Sequence, residues 1–290
     1  MPAELTRRAA ALAAGDGSWL VPEAAPAATV VLLRETPAGI STYLMRRTTT
    51  MAFAAGMHVF PGGRIDAQDY DGEIGIRGPI DAVRMNADEP SARALIVGAI
   101  REVFEETGVL LAVDEQGDWP IIDDTWDADR NAVDADSAQF AQVLQRRGLH
   151  IDTSLLPLWG HWITPEVETR RYDVRFYAAV VPAHHPVRDV SGEADHVRWI
   201  TPTEGLAAYA RGELAMLPPT VATLRELSEL TSVGDLASHA LQRIVQPLLP
   251  RPRLSEAGEV VWEVINATTG DVLWSMGDPP AGSESLGVHA

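Results

Sequence analysis

The stretch from Ala92 to Val109, ARALIVGAIREVFEETGV, constrains the fold more than any other part of the chain. Successive helical residues turn by about 100°. On that wheel Ile96, Ile100, Val103 and Phe104 fall to one side, and Glu102, Glu105 and Glu106 share an arc of roughly 100° on the other. Arg101 flanks the acidic arc. Ser91 stands where an N-cap is expected, and Gly108 suits the C′ position that ends a helix. The helix must bury one face while crowding three carboxylates on the other. Like charges four residues apart cost a few tenths of a kcal/mol. The helix dipole also disfavours anions near the C-terminus. A hard divalent cation, which prefers carboxylate oxygens, would reverse that balance. An ordinary solvated helix face is the alternative.

The charge balance points the same way. The chain has 290 residues, 46% of them hydrophobic, with 23 basic and 41 acidic side chains and a net charge of −18. Such a surface repels nucleic-acid phosphates, so no nucleic-acid partner is expected, and an anionic substrate would need a cation as mediator. There is no cysteine, which removes thiol nucleophiles, disulfides and thiolate metal sites. Every basic residue is arginine. A Walker-type phosphate loop and a lysine Schiff base are therefore excluded. No window approaches the roughly 20 apolar residues of a membrane span, and no targeting segment stands out, so a cytoplasmic protein with no membrane partner is expected.

Hydrophobic patterning predicts strands at 28–35, 41–47, 57–63, 109–113, 155–165, 172–182 and 196–200, and helices at 92–107 and 137–148. Further helices are expected near 203–211, 219–230 and 233–246, then a hairpin from VVWEVIN and DVLWSM. The polar, acidic run 114–136 reads as a loop. Strands and helices mix without strict alternation, which predicts an α+β fold or a mixed-sheet sandwich. The expected layout is an N-terminal extension over 1–26 that wraps the surface, a main domain over 27–232, a C-terminal helix and hairpin over 233–276, and a disordered tail over 277–290.

The string Arg101-Glu102-Val103-Phe104-Glu105-Glu106-Thr107-Gly108-Val109 resembles the second half of the Nudix box, R-E-u-x-E-E-x-G-u with u apolar, at every specified position. Gly63 matches the glycine that opens the first half, and Asp69 stands where the family usually has glutamate. The interval from Asp69 to Arg101 is 101 − 69 = 32 residues against the family's eight, an insertion of 24 within a box that runs from 63 to 109. An interrupted box behind the lead-in MAFAAGMHVFPGGRID is similar to a branch that includes peroxisomal coenzyme A diphosphatases. WITP, RRYDVRFY and LPPT look like later landmarks of that branch.

The resemblance implies a Nudix fold, an α+β fold built as an α/β/α sandwich with a mixed sheet between helices, and hydrolysis of a nucleoside diphosphate linked to another moiety, with a small-molecule diphosphate as partner. It implies Mg²⁺ or Mn²⁺ held by Glu102, Glu105 and Glu106 with the Gly63 carbonyl. Glu105 is the candidate catalytic carboxylate, and Arg101 orients a glutamate rather than touching substrate. Glu193, just before a strand, is a further candidate base or metal ligand, with an exposed loop acid as the alternative. Arg46, Arg47, Arg170 and Arg171 are candidates to hold substrate phosphates, because guanidinium groups bind them bidentately. Trp162 is a candidate to stack a base, and His58 reads as a core histidine. The insertion, about 70–93, is open between a lid, a homodimer contact and a neutral excursion that could be shortened without loss of fold. The favoured substrate is coenzyme A or an acyl derivative. ADP-ribose, NADH or a nucleotide sugar is the alternative substrate, and a non-catalytic nucleotide sensor the alternative of another class.

Overall fold

The computed structural model of the chain describes residues 3–15, 17–48, 54–183, 185–187, 194–257 and 259–276. In chain order the elements begin with α1 (Ala3–Ala14), β1 (Ala24–Thr36), β2 (Gly39–Arg47), β3 (His58–Val59), β4 (Gly62–Arg64) and β5 (Ile76–Arg77). Then come α2 (Glu89–Thr107), β6 (Ala112–Val113), α3 (Trp126–Ala135), α4 (Gln139–Arg147), β7 (His150–Asp152) and β8 (Leu158–Ile163). The chain closes with β9 (Arg171–Val180), β10 (Ala194–Ile200), α5 (Pro202–Ala210), α6 (Pro218–Leu227), α7 (Leu236–Gln242), β11 (Pro247–Leu254), β12 (Val260–Asn266) and β13 (Val272–Met276).

The main sheet runs β10-β2-β1-β9-β8-β11-β12-β13, with β3 on β2 and β4 on β1. It is mixed: β1 pairs parallel with β9 and antiparallel with β2. β1 is apolar on both faces because helices cover both, so the period of two splits its side chains between two cores. Val30 and Leu32 join Ile96, Ile100, Val103 and Phe104 of α2 on one side. Val31 and Leu33 join Ala208 of α5, Val221 and Leu224 of α6 and Leu236 of α7 on the other. This is the α/β/α sandwich that the resemblance implies. Its consequence is that α2, with its acidic arc, lies directly against the strand that carries the glycine turn.

Several local expectations are corrected. The segment before residue 26 is not a plain surface wrap. It contains α1, which packs on β11, and it is fastened by Arg8 Nη1 donating to the Val167 carbonyl and Trp19 Nε1 to that of Glu166. The N-cap of α2 is Asp88 rather than Ser91, since the Asp88 carboxylate accepts the Ser91 N–H and Pro90 fits the first turn. Within 114–136 the residues Trp126–Ala135 form α3, whose Trp126 packs edge-on against Phe104. β11 was not anticipated because Pro247, Pro250 and Pro252 argue against a strand. The C-terminal hairpin continues the main sheet through β11, which pairs with β8. The expected tail, 277–290, lies outside the described residues.

The insertion is built into the fold. β5 pairs with β7 in a second sheet, and Ile74 and Met85 belong to the larger core. Arg175 of β9 donates to the carbonyls of Met85 and Asn86 at 2.7 and 3.0 Å, and Arg84 donates to those of Ala240 and Arg243. The reading of this segment as a neutral excursion is thereby corrected: its far end, just before Asp88, sets where α2 begins.

Candidate active site

β4 brings Gly62 and Gly63 against β1, with Gly62 opposite Thr29 and Gly63 opposite Ala28. Gly62 has φ = 148°, and a Cβ there would lie 2.2 Å from the Ala28 carbonyl oxygen, so only glycine allows the approach. A Cβ on Gly63 would instead lie 2.3 Å from Glu102 Oε2. The backbone of the turn is therefore in contact with the acidic face of α2. Gly62 N–H donates to Glu106 Oε2 at 2.8 Å, a second link between turn and helix.

Arg101 organises the cluster from behind. It is 2% exposed and uses its whole guanidinium. Nε and Nη2 donate to the two oxygens of Asp69 at 2.8 and 2.9 Å. Nη1 donates to Glu102 Oε1 at 2.9 Å and Glu105 Oε1 at 3.0 Å, and Nη2 also reaches the Arg64 carbonyl. Asp69 is 2% exposed and also accepts the Asp66 N–H. Asp69 thus ties its loop to Arg101 with both carboxylate oxygens. Burial opposes the Arg101 charge, but the Asp69 bonds and the neighbouring carboxylates outweigh it, and its pKa is raised. Burial dominates at Glu102. It pushes that carboxyl up to about 7, only partly opposed by Arg101. Glu105 shifts upward as well, by burial first and against the pull of Arg101.

In front of the cluster lies a cavity of about 400 Å³ lined by Arg47, Gly63, Arg64, Glu102, Glu106 and Arg170, with Tyr172 on one wall. Of the four candidate arginines the fold brings two here. Arg46 pairs with Asp195 at the sheet edge, and Arg171 donates to the carbonyls of Thr164 and Pro22. Glu105 lies beside the cavity, turned toward Arg101. Glu193 lies outside the described residues. His58 is buried under the β3 turn, and burial lowers its pKa. Arg64 and Tyr172 were missed, although Arg64 follows the glycine pair and Tyr172 follows the arginine pair, so adjacency to those landmarks was the available signal.

The donor set suits a hard cation. Its acidic members are the Glu102 and Glu106 carboxylates beside the Gly63 backbone, and among the described residues no histidine lines the cavity. The Glu102 carboxyl is raised chiefly because burial disfavours its charged form, with the Glu105 charge a smaller contribution and Arg101 opposing both. Among the described residues no three acidic or histidine side chains converge on one point as they stand, since each glutamate of the cluster holds a protein donor.

The family model described as the NUDT19 Nudix domain matches residues 80–227, just over half of the chain. The chain is 27% identical over 241 residues to the acyl-coenzyme A diphosphatase NUDT19 of Xenopus laevis, covering 70% of this chain and 63% of that protein. It is 27% identical over 284 residues to the protein of that name from Homo sapiens, covering 83% and 74%. The matched region thus spans about two thirds of the length of these curated relatives. Among solved structures, a NUDIX hydrolase from Alicyclobacillus acidocaldarius shares 28% identity with a TM-score of 0.64, covering 76% of this chain and 97% of that one. The interrupted box closed by the Asp69–Arg101 pair, the fold around it and these likenesses agree, and the chain belongs to the NUDT19 Nudix domain family.

Proposed function

We propose that the protein hydrolyses the diphosphate linkage of coenzyme A or its acyl derivatives in a reaction that depends on a divalent cation. The observation that carries the reading is the meeting of Glu102, Glu106 and the Gly63 backbone on one cavity that also holds Arg47 and Arg170. The relatives named acyl-coenzyme A diphosphatase support the choice of substrate.

Glu102, Glu106 and, after release from Arg101, Glu105 would hold Mg²⁺ or Mn²⁺ with the Gly63 carbonyl. When bound, the ion supplies Lewis-acid polarisation of a phosphoryl oxygen and charge neutralisation. Arg47 and Arg170 line the same cavity and would supply cationic donors to the remaining phosphate oxygens. Arg101 positions two carboxylates without entering the cavity, because Asp69 fixes its guanidinium from the opposite side. A carboxylate of the cluster accepts the proton of the attacking water. Water attack on phosphorus breaks one P–O bond of the anhydride, giving 3′,5′-ADP and a 4′-phosphopantetheine product.

A panel of coenzyme A, acyl thioesters, ADP-ribose, NADH and nucleotide sugars, assayed with Mg²⁺ and with Mn²⁺ and with products weighed by mass spectrometry, tests the reading. Turnover of coenzyme A with those two products is expected. Turnover of the other diphosphates alone, or full activity in excess EDTA, would overturn it.

A further inference from the structure

Beside the charged cavity lies a smaller one of about 130 Å³, lined chiefly by Trp162, Val174, Phe176, Leu217, Pro219 and Pro250. The two share Thr29, Val59, Phe60, Tyr172 and Val174, so they meet along a common wall rather than at a distance. Their chemistry divides sharply. Among the described residues the larger is lined by three arginines and two glutamates, and the smaller by no ionisable side chain except the Tyr172 phenol. Thr164, one of its few hydroxyls, is already engaged, accepting the Tyr172 N–H at 3.0 Å.

We infer that this annex is a subsite for the branched aliphatic segment of a pantetheine arm, the dimethyl-bearing carbon that stands a few bonds from the diphosphate. The inference rests on the diphosphatase reading and deepens it. Position comes first. With phosphates against Arg47 and Arg170, the annex receives whatever group is joined closest to them on one side. In ADP-ribose, NADH and nucleotide sugars both such groups are hydroxylated rings. In coenzyme A one of them is a carbon bearing two methyl groups. Polarity comes second. A ribose or a purine in the annex would surrender hydrogen bonds to water and find few in return, a penalty that rejects polar groups strongly. A compact branched alkyl group incurs no such penalty. Size comes third. A cavity of roughly 150 Å³ lined by aliphatic and aromatic residues admits benzene, and a quaternary carbon with its methyls is of similar bulk. The acyl chain itself lies at the far end of a long arm, well beyond a compartment that adjoins the phosphates.

Leu217 tests this without touching the charged cavity. It is half-buried at the start of α6, lines only the annex, and its side chain makes no capping bond. Leu217→Trp would fill the compartment, Leu217→Phe would fill it less, and Leu217→Ala would enlarge it. Each buried methyl-sized group is worth about a factor of four in affinity. Two such groups give an expected rise of about 15-fold in KM for coenzyme A with Leu217→Trp, and a matching rise in the inhibition constant of 4′-phosphopantetheine. The ratio of kcat/KM for coenzyme A to that for ADP-ribose should fall by about the same factor, with a smaller fall for Leu217→Phe. Circular dichroism and melting curves confirm that the variants are folded. Equal losses on both substrates, or none, would overturn the subsite while leaving the diphosphatase reading in place. A loss confined to long-chain thioesters would assign the annex to the acyl group and overturn the inference too. If the parent enzyme cleaves ADP-ribose but neither cleaves coenzyme A nor binds 4′-phosphopantetheine, the substrate reading itself fails and the subsite fails with it.

Discussion

Gly62 and Gly63 are neighbours in sequence, yet alanine should act on them in opposite ways. At Gly62 the new Cβ would meet backbone: the Ala28 carbonyl oxygen at 2.2 Å and the Thr29 Cα at 2.7 Å, at a φ of 148° that L residues avoid. Neither neighbour can yield without parting β4 from β1. Strain of this kind costs about 1–3 kcal/mol and overpacking a similar amount, so Gly62→Ala should lose roughly 2–6 kcal/mol. At Gly63 the new Cβ would meet only the Glu102 carboxylate, at 2.3 Å from Oε2, 2.4 Å from Cδ and 2.7 Å from Oε1. The backbone there is in no disfavoured region, and a carboxylate can swing aside for about 1 kcal/mol. That swing moves the oxygens by about 1 Å, a displacement that can cost about 100-fold in rate at a reacting centre. Gly63→Ala should therefore melt within a few degrees of the parent while kcat on a diphosphate substrate falls about 100-fold; Gly62→Ala should melt about 10 °C lower. Differential scanning calorimetry and steady-state kinetics on both variants settle the matter. A fully active Gly63→Ala enzyme, or a Gly62→Ala protein as stable as the parent, would refute the geometry.

Glu105→Gln keeps the shape of the side chain and relieves carboxylate repulsion, so stability should hold while kcat drops about 10²–10⁴-fold, measured at saturating metal. Met85→Ala should lose about 2–5 kcal/mol in urea denaturation, because Met85 is 5% exposed within the larger core although it belongs to the insertion; an effect under 0.5 kcal/mol would restore the view of a dispensable loop. Burial pushes the Asp173 carboxyl up, but His161 and Arg175 outweigh it and hold its pKa at about 2. Its folded-state pKa is thus below the unfolded value of about 3.9, so its contribution is present above pH 4 and lost as pH falls toward 2. The stability gap between parent and Asp173→Asn should narrow over that window, as followed by acid titration of the folded fraction.

The parts of the fold legible in the sequence are those where one local pattern decides. The α2 wheel separates a buried face from an acidic one, and β1 is apolar enough to be buried on both sides. Arg101 and its glutamates are legible because they lie within two helical turns of one another. What could not be read depends on partners far along the chain. Arg46 and Arg47 are equivalent as letters, and only the pairing of β2 with β10 turns Arg46 toward Asp195 while Arg47 lines the cavity. Met85 looks like part of a polar, aperiodic segment until Arg175, 90 residues away, takes its carbonyl. β11 carries three prolines and becomes a strand only because β8 and β12 are there to pair with it.

The pairing of Asp69 with Arg101 makes residues 69 to 101 a ring closed at its neck by two parallel hydrogen bonds. A ring held at the neck does not depend on an unbroken circumference. A single protease cut after the exposed Arg77, made when the two-residue β5 frays from β7, would leave two fragments whose ends remain gripped, one by Arg175 and the Asp88 cap, the other by the Arg101 guanidinium. Nicked protein should migrate as one particle under native conditions, separate in denaturant, and recover its catalytic face when the two pieces are mixed. By the same logic a peptide tag or a small inserted domain would be best placed at that point of the ring, where the chain can be lengthened or opened while the glutamates stay at their stations.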